Sequence, residues 1–322
     1  MSAAILLAVL IDLAFGEPKS GRHPVALIGR AMAKAGERLR LRMSSARGKR
    51  AMGTILVAGF VVASFALSSM LIAAANRLAP AAGWAANAML IWLSISVGEL
   101  IIICKKIDRK LESAAVGEAR QLLRSLVGRE AGELNSLQIR TAAIESLAEN
   151  LVDAGIAPLF YAFIGGGTLA FTYRVINTMD SMFGYKNDKY VDFGWAAARI
   201  DDAASWLPAR LTVACLALAN RLGGRGFRNG IKAALRDGAK HPSPNSGLAM
   251  AALAGSLEIQ LGGPRLYEGH PVVYGHFGKD IKPIDSNMIN DASALAARTF
   301  LTVAVLGILI DFYIRGPAWP GL

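Results

Sequence analysis

Three carboxylates recur at helical spacing near the middle of the chain: Glu145, Glu149 and Asp153. At i, i+4 and i+8 they fall on one face of a helix. Like charges so placed repel by roughly 0.2–0.5 kcal/mol per pair, so an isolated helix gains nothing from them. A hard cation reverses that sign, because Mg²⁺ takes one or two carboxylates together with water and substrate phosphates. A solvated acidic face balanced by nearby arginines explains the same residues without a ligand. The charge-free run that follows at once favours a site, since acids beside a membrane are costly.

A second cluster runs from Arg174 to Arg210. It holds Asn177, Asp180, Ser181 and Lys186, then Arg199, Asp201 and Asp202. Adjacent acids can bridge cations, and Arg174, Lys186, Arg199 and Arg210 can hold phosphates. Alone, the Asp201-Asp202 pair also reads as the acidic start of a helix. A third cluster is Lys240-His241-Pro242-Ser243-Pro244-Asn245-Ser246-Gly247, followed by Leu261-Gly262-Gly263-Pro264. Its hydroxyls, its amide and free backbone N–H groups can cradle an anion. Asn245 or Ser246 is equally an ordinary N-cap for the Ala/Leu-rich run that follows. His23 closes the first apolar run beside Pro24, as a structural hydrogen-bonder or as a ligand.

Several chemistries are missing. There is no Walker A sequence, no GxGxxG after a strand, no HExxH and no GxSxG. ATP use would therefore not be of the P-loop type. Four histidines (His23, His241, His270, His276) give zinc hydrolysis little support, and no nucleic-acid-binding motif accompanies the basic charge.

The elements that must position these residues are apolar. Residues 2–15 are short for a span and lack a cleavage site. Residues 51–76 carry no charge, and with the run ending near Cys104 they predict a transmembrane hairpin over about 51–104. Residues 105–149 read as amphipathic helix. Residues 154–173 hold Pro158 and Gly165-Gly166-Gly167, and 203–220 hold Pro208 and Arg210. Both are expected to be broken, re-entrant or buried helices that line a cavity, with 174–202 on the cytoplasmic side. Residues 221–290 read as loop, and 292–314 as a last transmembrane helix.

The whole chain has 322 residues, 53% hydrophobic and only 18% charged, against about 25% charged in soluble domains. Its net charge is nonetheless +11. Residues 17–50 alone hold ten Lys/Arg against two Glu, and residues 105–150 hold eight more basic residues. The positive-inside rule puts both segments in the cytoplasm. The expected fold is all-α: a polytopic integral membrane protein forming one domain, its site-bearing region over about 140–275. Cys104 and Cys215 each lie in an apolar run, as buried thiols rather than a disulfide or zinc site.

Seven blocks occur in an order that resembles the cobalamin-biosynthesis CobD/CbiB family: DLAFGEP…HPVALIGR, ESLAENLVDAGIAPLFY, NTMDSMFGYKN, FGWAAARIDD, LPARLT, KHPSPNSG and LGGPRLYEG. The resemblance covers residues from about 10 to 275. It implies a multi-pass inner-membrane adenosylcobinamide-phosphate synthase, a carbon–nitrogen ligase with its active site facing the cytoplasm. Such enzymes join adenosylcobyric acid to (R)-1-amino-2-propanol or its O-phosphate, using ATP and Mg²⁺. Carried onto this chain, Glu145, Glu149, Asp153, Asp180, Asp201 and Asp202 are expected at Mg²⁺, with Asp180, Glu149 and Lys186 catalytic. Arg174, Arg199, Lys240, Ser243, Asn245, Gly263, His23, Asn177 and Ser181 are expected at the substrates. Membrane lipid and other late enzymes of the pathway are the implied partners.

The chain departs from the family pattern at Glu17, where Asp is common, near Trp206 and around Ala249-Met250. These positions bear on substrate detail. A non-catalytic AmpE-like signalling relative would show eroded acids in the first two clusters, and both are intact. A small-solute transporter would show an internal repeat, and none is visible.

Overall fold

The structure is a computed structural model describing residues 1–18, 24–127, 132–267 and 270–316, without the side chains of 264–267, 270–274 and 315. His23 lies outside the described residues. The chain is helical almost throughout, as its composition predicts. In order, the helices are α1 (Ser2–Phe15), α2 (Pro24–Leu41), α3 (Ala46–Leu78), α4 (Pro80–Trp92), α5 (Val97–Glu112), α6 (Val116–Leu123) and α7 (Ser136–Leu151). A single π turn, Val152–Ile156, joins α7 to α8 (Ala157–Phe183). There follow α9 (Trp195–Ala204), α10 (Trp206–Leu222), α11 (Arg228–Asp237), α12 (Ser246–Leu257), the strands β1 (Gln260–Tyr267) and β2 (His270–Gly278), and α13 (Ser286–Arg315).

Among the described residues, four helical stretches are long and apolar enough to cross a membrane: Ala46–Leu78, Pro80–Glu112, Ser136–Phe183 and Ser286–Ile314. The outer faces of α3 and α13 expose Ile55, Val62, Leu67, Met70, Val305 and Leu309. A contiguous apolar surface of that kind needs a non-aqueous cover. The predicted hairpin is present as α3 and α4, turning at Ala79-Pro80. Its return arm differs from expectation, being interrupted over 93–96 before α5 continues. Asp12 of α1 caps the restart: its Oδ2 accepts from the Gly98 N–H at 2.9 Å. The Ser96 N–H donates to the Ala154 carbonyl at 2.8 Å, so the break in one arm is stitched to the π turn of another.

The run from 154 to 173 is broken, as its glycines predict. Gly165 and Gly166 leave helical geometry, the latter at φ 64°, ψ −155°, which only glycine adopts without strain. The rings of Tyr161 and Tyr173 stack with centroids 5.2 Å apart. Twelve residues of straight helix would separate them by about 18 Å. The chain therefore doubles back, and α8 is a helical hairpin. Asn87 of α4 fixes the turn, its Oδ1 accepting from the Gly167 N–H at 2.6 Å.

Two expectations need correction. Residues 203–220 are not broken at Pro208, which falls in the first turn of α10, where its missing N–H costs no helical bond; the break lies at Ser205, between α9 and α10. Residues 221–290 are not a loop. They form α11, α12 and an antiparallel hairpin in which Leu261 pairs with Phe277, with a bulge at Gly262/Gly263. The Gly and Ser of this stretch mislead because they serve packing. Every residue of α12 except Leu248 is buried, small side chains letting α11 approach closely. α7, α12 and α13 share one apolar core with α1 and α5, while α2, α3, α8 and α9 form a second.

Candidate active site

The carboxylates gather where α7 and the return arm of α8 meet. Glu145, Glu149 and Asp153 line a half-open cavity of about 550 Å³ together with Asn177, Asp180 and Ser181. Asp153 and Asp180 are 27 residues apart, about 40 Å along a straight helix. The hairpin at Gly165-Gly166 is what brings them to one cavity. The π turn carries Asp153 itself, and such turns recur at functional sites because they redirect a side chain without ending the helix.

Not all these acids face the cavity freely. Glu145 is buried, and its Oε1 accepts from the Gly262 N–H at 2.8 Å, tying the β-hairpin to α7. Asn177 donates from Nδ2 to Oδ1 of Asp201 at 3.3 Å, placing Asp201 directly behind the cavity wall. Burial, reinforced by the charge of Asp180, pushes the Asp201 carboxyl up to about 7. Asp202 is raised by burial too, while Arg199 and Lys186 stand near enough to oppose the shift. The acidic pair occupies the C-terminal half of α9, so it is no helix-starting pair. Among the described residues, no three His, Cys, Asp or Glu side chains form a ready-made metal set. The donors are hard carboxylate oxygens, suited to a cation that completes its shell with water and phosphate.

The other predicted residues fall at varying distances from this centre. Lys186 and Arg199 are exposed and flank Asp202. Arg174 turns toward the N-terminal segment, its Nη2 3.1 Å from Oε1 of Glu17. Arg210 lies over the Trp206 ring at 4.0 Å and donates to the Asn245 Oδ1. Asn245 is buried, donating to the Asp202 carbonyl at 2.8 Å and the Ser205 hydroxyl at 2.9 Å, so it braces α9 from behind. It occupies the N-cap position of α12 without capping by side chain; the Ser243 hydroxyl accepts from the N–H groups of Asn245 and Ser246 instead. Lys240 is not brought to the cavity. Its ammonium is 2.7 Å from Asp237 and donates to the His276 carbonyl at 3.1 Å. Gly263 lies in the β1 bulge, beside the glycine whose amide holds Glu145.

Sequence reasoning missed several cavity residues. Ser125, Leu126 and Val127 contribute a wall, and the Leu126 carbonyl accepts from the Ser146 hydroxyl at 2.9 Å. Asn150, within the first block of acids, is anchored to the Ser146 carbonyl at 2.9 Å. The site also has a direction. Arg50, at the basic start of α3, pairs at 2.9 Å with Asp192 in the loop after α8, and Lys189 approaches Glu37 of α2. The cavity's loop thus packs on the most basic segment of the chain.

The sequence model of a family described as CobD/Cbib protein matches residues 5–296. This chain belongs to that family. A cobalamin biosynthesis protein CobD of Geobacter metallireducens is 39% identical over 88% of both chains. One from Leptospira interrogans is 39% identical over 96% of this chain and 98% of its own length. Another, from Mycobacterium tuberculosis, is 41% identical over 83% of this chain and 82% of its own. No solved structure gives a significant match. The match takes in all seven blocks, and every acid of the cavity falls inside it. Membership in a cobalamin-biosynthesis family and a set of membrane-crossing helices agree with the resemblance read from the sequence.

Proposed function

We propose that this chain is an adenosylcobinamide-phosphate synthase of the inner membrane, forming an amide between adenosylcobyric acid and (R)-1-amino-2-propanol or its O-phosphate at the expense of ATP. The observation that carries the reading is the single cavity shared by Glu149, Asp153 and Asp180, flanked through Asp202 by Lys186 and Arg199. A volume of about 550 Å³ suits a nucleotide phosphate chain and one carboxyl arm. The corrin ring itself would stay outside the half-open mouth.

Amide formation from a carboxylate requires activation. An oxygen of the substrate carboxylate attacks the γ-phosphorus of ATP, ADP leaves, and an acyl phosphate results. The amine nitrogen then attacks the acyl carbon, phosphate departs, and the nitrogen gives up a proton. Lys186 and Arg199 would neutralise the transferring phosphoryl group, and Glu149 is the carboxylate suited to accept the amine proton. Asp180, with Glu149 or Asp153, would hold Mg²⁺, whose bound charge screens the ATP phosphates. Positioning across one wall of α7 and one of α8 supplies much of the rate. Glu145 acts as a strut, through the Gly262 amide. The contact of the site loop with the basic α2–α3 segment supports a cavity facing the cytoplasm under the positive-inside rule.

The test is a membrane-fraction assay with adenosylcobyric acid, ATP, Mg²⁺ and aminopropanol phosphate. ATP-dependent amide product is expected. Its absence from folded, membrane-inserted protein would overturn the proposal.

A further inference from the structure

Beside the main cavity lies a smaller chamber of about 230 Å³, lined in part by Glu17, Ser96, Glu99, Asn150 and Arg174. Asn150, Ser125 and Leu126 belong to both spaces, so the two are adjoining rooms rather than separate sites. The polar groups of the smaller one are incompletely satisfied. Arg174 is ion-paired with Glu17, yet its Nε is buried with no hydrogen-bond partner. Oε2 of Glu99 is also buried without a partner. Behind them Asp12 is wholly buried, its Oδ1 likewise unpartnered, within electrostatic reach of Glu17 and Arg174.

Even with Asp12 set aside, two carboxylates face one guanidinium among the described residues, and that guanidinium already serves Glu17. Glu99 is half-buried, and its buried Oε2 is left as an acceptor awaiting a donor, which is unfavourable unless something fills it. Water can satisfy a carboxylate oxygen, but the excess negative charge selects a cation. The chamber is below the range of about 300–1,000 Å³ that drug-sized ligands occupy, so a nucleotide or a corrin ring is excluded by size. A small ammonium-bearing molecule fits both charge and volume, and the free Arg174 Nε offers a donor to an oxygen on the same molecule.

We propose that this chamber binds the small primary amine as its ammonium ion, with Glu99 as the principal acceptor and the Arg174–Glu17 pair at the other end. Identifying that amine with the co-substrate rests on the amide-forming reading above; the binding chemistry does not. Bound there, the amine waits one side chain, Asn150, away from the acids of the main cavity.

The experiment titrates 1-amino-2-propanol, and propane-1,2-diol as its neutral counterpart, into the full chain in lipid nanodiscs by calorimetry. Thermal melts establish folding, and MgATP binding is measured in the same preparations. The amine should bind and the diol should not. Glu99→Gln should weaken the amine by about tenfold or more, the scale expected when one partner of a buried charge pair is removed, and leave MgATP affinity unchanged. Glu17→Gln is the second variant, expected to weaken the amine as well should Glu99→Gln fail to fold. Failure of the folded wild type to bind the amine would overturn the proposal, as would wild-type amine affinity in the folded variants. Amide formation is scored separately. Glu99-dependent amine binding without amide product leaves the chamber standing and removes the proposed reaction. Product formed with an unchanged amine KM in both variants does the reverse.

Discussion

Tyr161 on the outgoing arm of α8 stacks on Tyr173 of the returning arm, with planes 17° from parallel. The pair closes the helical hairpin below the acidic cavity. Tyr161 also donates from its hydroxyl to the Ala204 carbonyl at 3.0 Å, which ties the hairpin to the end of α9. The stacked pair therefore connects the three elements that carry Asp153, Asp180 and Asp201.

The turn below that pair should be intolerant of side chains. Gly166 sits at φ 64°, and a Cβ there would come within 2.7 Å of Oδ1 of Asn87. Gly166→Val should cost about 1–3 kcal/mol in backbone strain alone and lower the melting temperature of the purified protein. Turnover should fall with it, because the turn sets where Asp180 returns. Wild-type stability and activity in this variant would refute the hairpin.

Removing cavity carboxylates should affect chemistry rather than folding. Asp180→Asn and Glu149→Gln are each expected to lower ATP-dependent amide formation by about 10²-fold or more, with expression and melting temperature near wild type. Full activity in both variants would remove these two residues from the reaction. Glu145→Gln should behave differently: its bond to Gly262 makes it a support, so stability should drop along with activity.

How much of this was readable in advance follows from range. The shared face of Glu145, Glu149 and Asp153 is a local consequence of helical period, and the Gly165-Gly166-Gly167 run announces a break. The direction of that break was not local. It depends on Asn87, eighty residues earlier, accepting from Gly167. Likewise nothing near Glu145 signals that an amide 117 positions away will claim one of its oxygens. Lys240 is an instructive case. Its partner Asp237 lies at i−3, so the pair was visible as a helical ion pair, yet the flanking Pro and Ser drew it into an anion-binding reading. Residues 221–290 failed for a related reason, since small residues that permit close helix packing resemble loop composition.

The titration of Asp201 gives a pH dependence with a definite sign. Its carboxyl is pushed up to about 7 by burial and by Asp180. In the unfolded chain an aspartate loses its proton near about 4. Between those values the native state keeps a proton that the unfolded state has released. The stabilisation is therefore present at low pH and is lost as pH rises through about 7. Asp201→Asn should flatten the decline in melting temperature across that window and make the protein more stable than wild type on its alkaline side. Melts in a pH series without added Mg²⁺ decide the matter, and parallel profiles for the two proteins would refute the assignment.

Asp237 shows the opposite behaviour away from the cavity. Its side chain is 1% exposed. A hydrogen bond from Arg236 holds the carboxyl far below its ordinary range, aided by Lys240 and by the Gly278 N–H at 3.0 Å. Because the folded-state pKa is depressed, the stabilisation is complete above the unfolded value near about 4 and is lost only as pH falls below it. Asp237→Asn should therefore cost about 1.5–3 kcal/mol at neutral pH, the range for hydrogen bonds to a charged group, since the two cations left behind are half exposed, and the gap to wild type should narrow in acid. Lys240→Met probes the same group from its cationic side. With the ammonium committed to Asp237 and the His276 carbonyl, that variant should lower the melting temperature while leaving the KM for ATP near wild type. A large rise in that KM with unchanged stability would return Lys240 to the nucleotide.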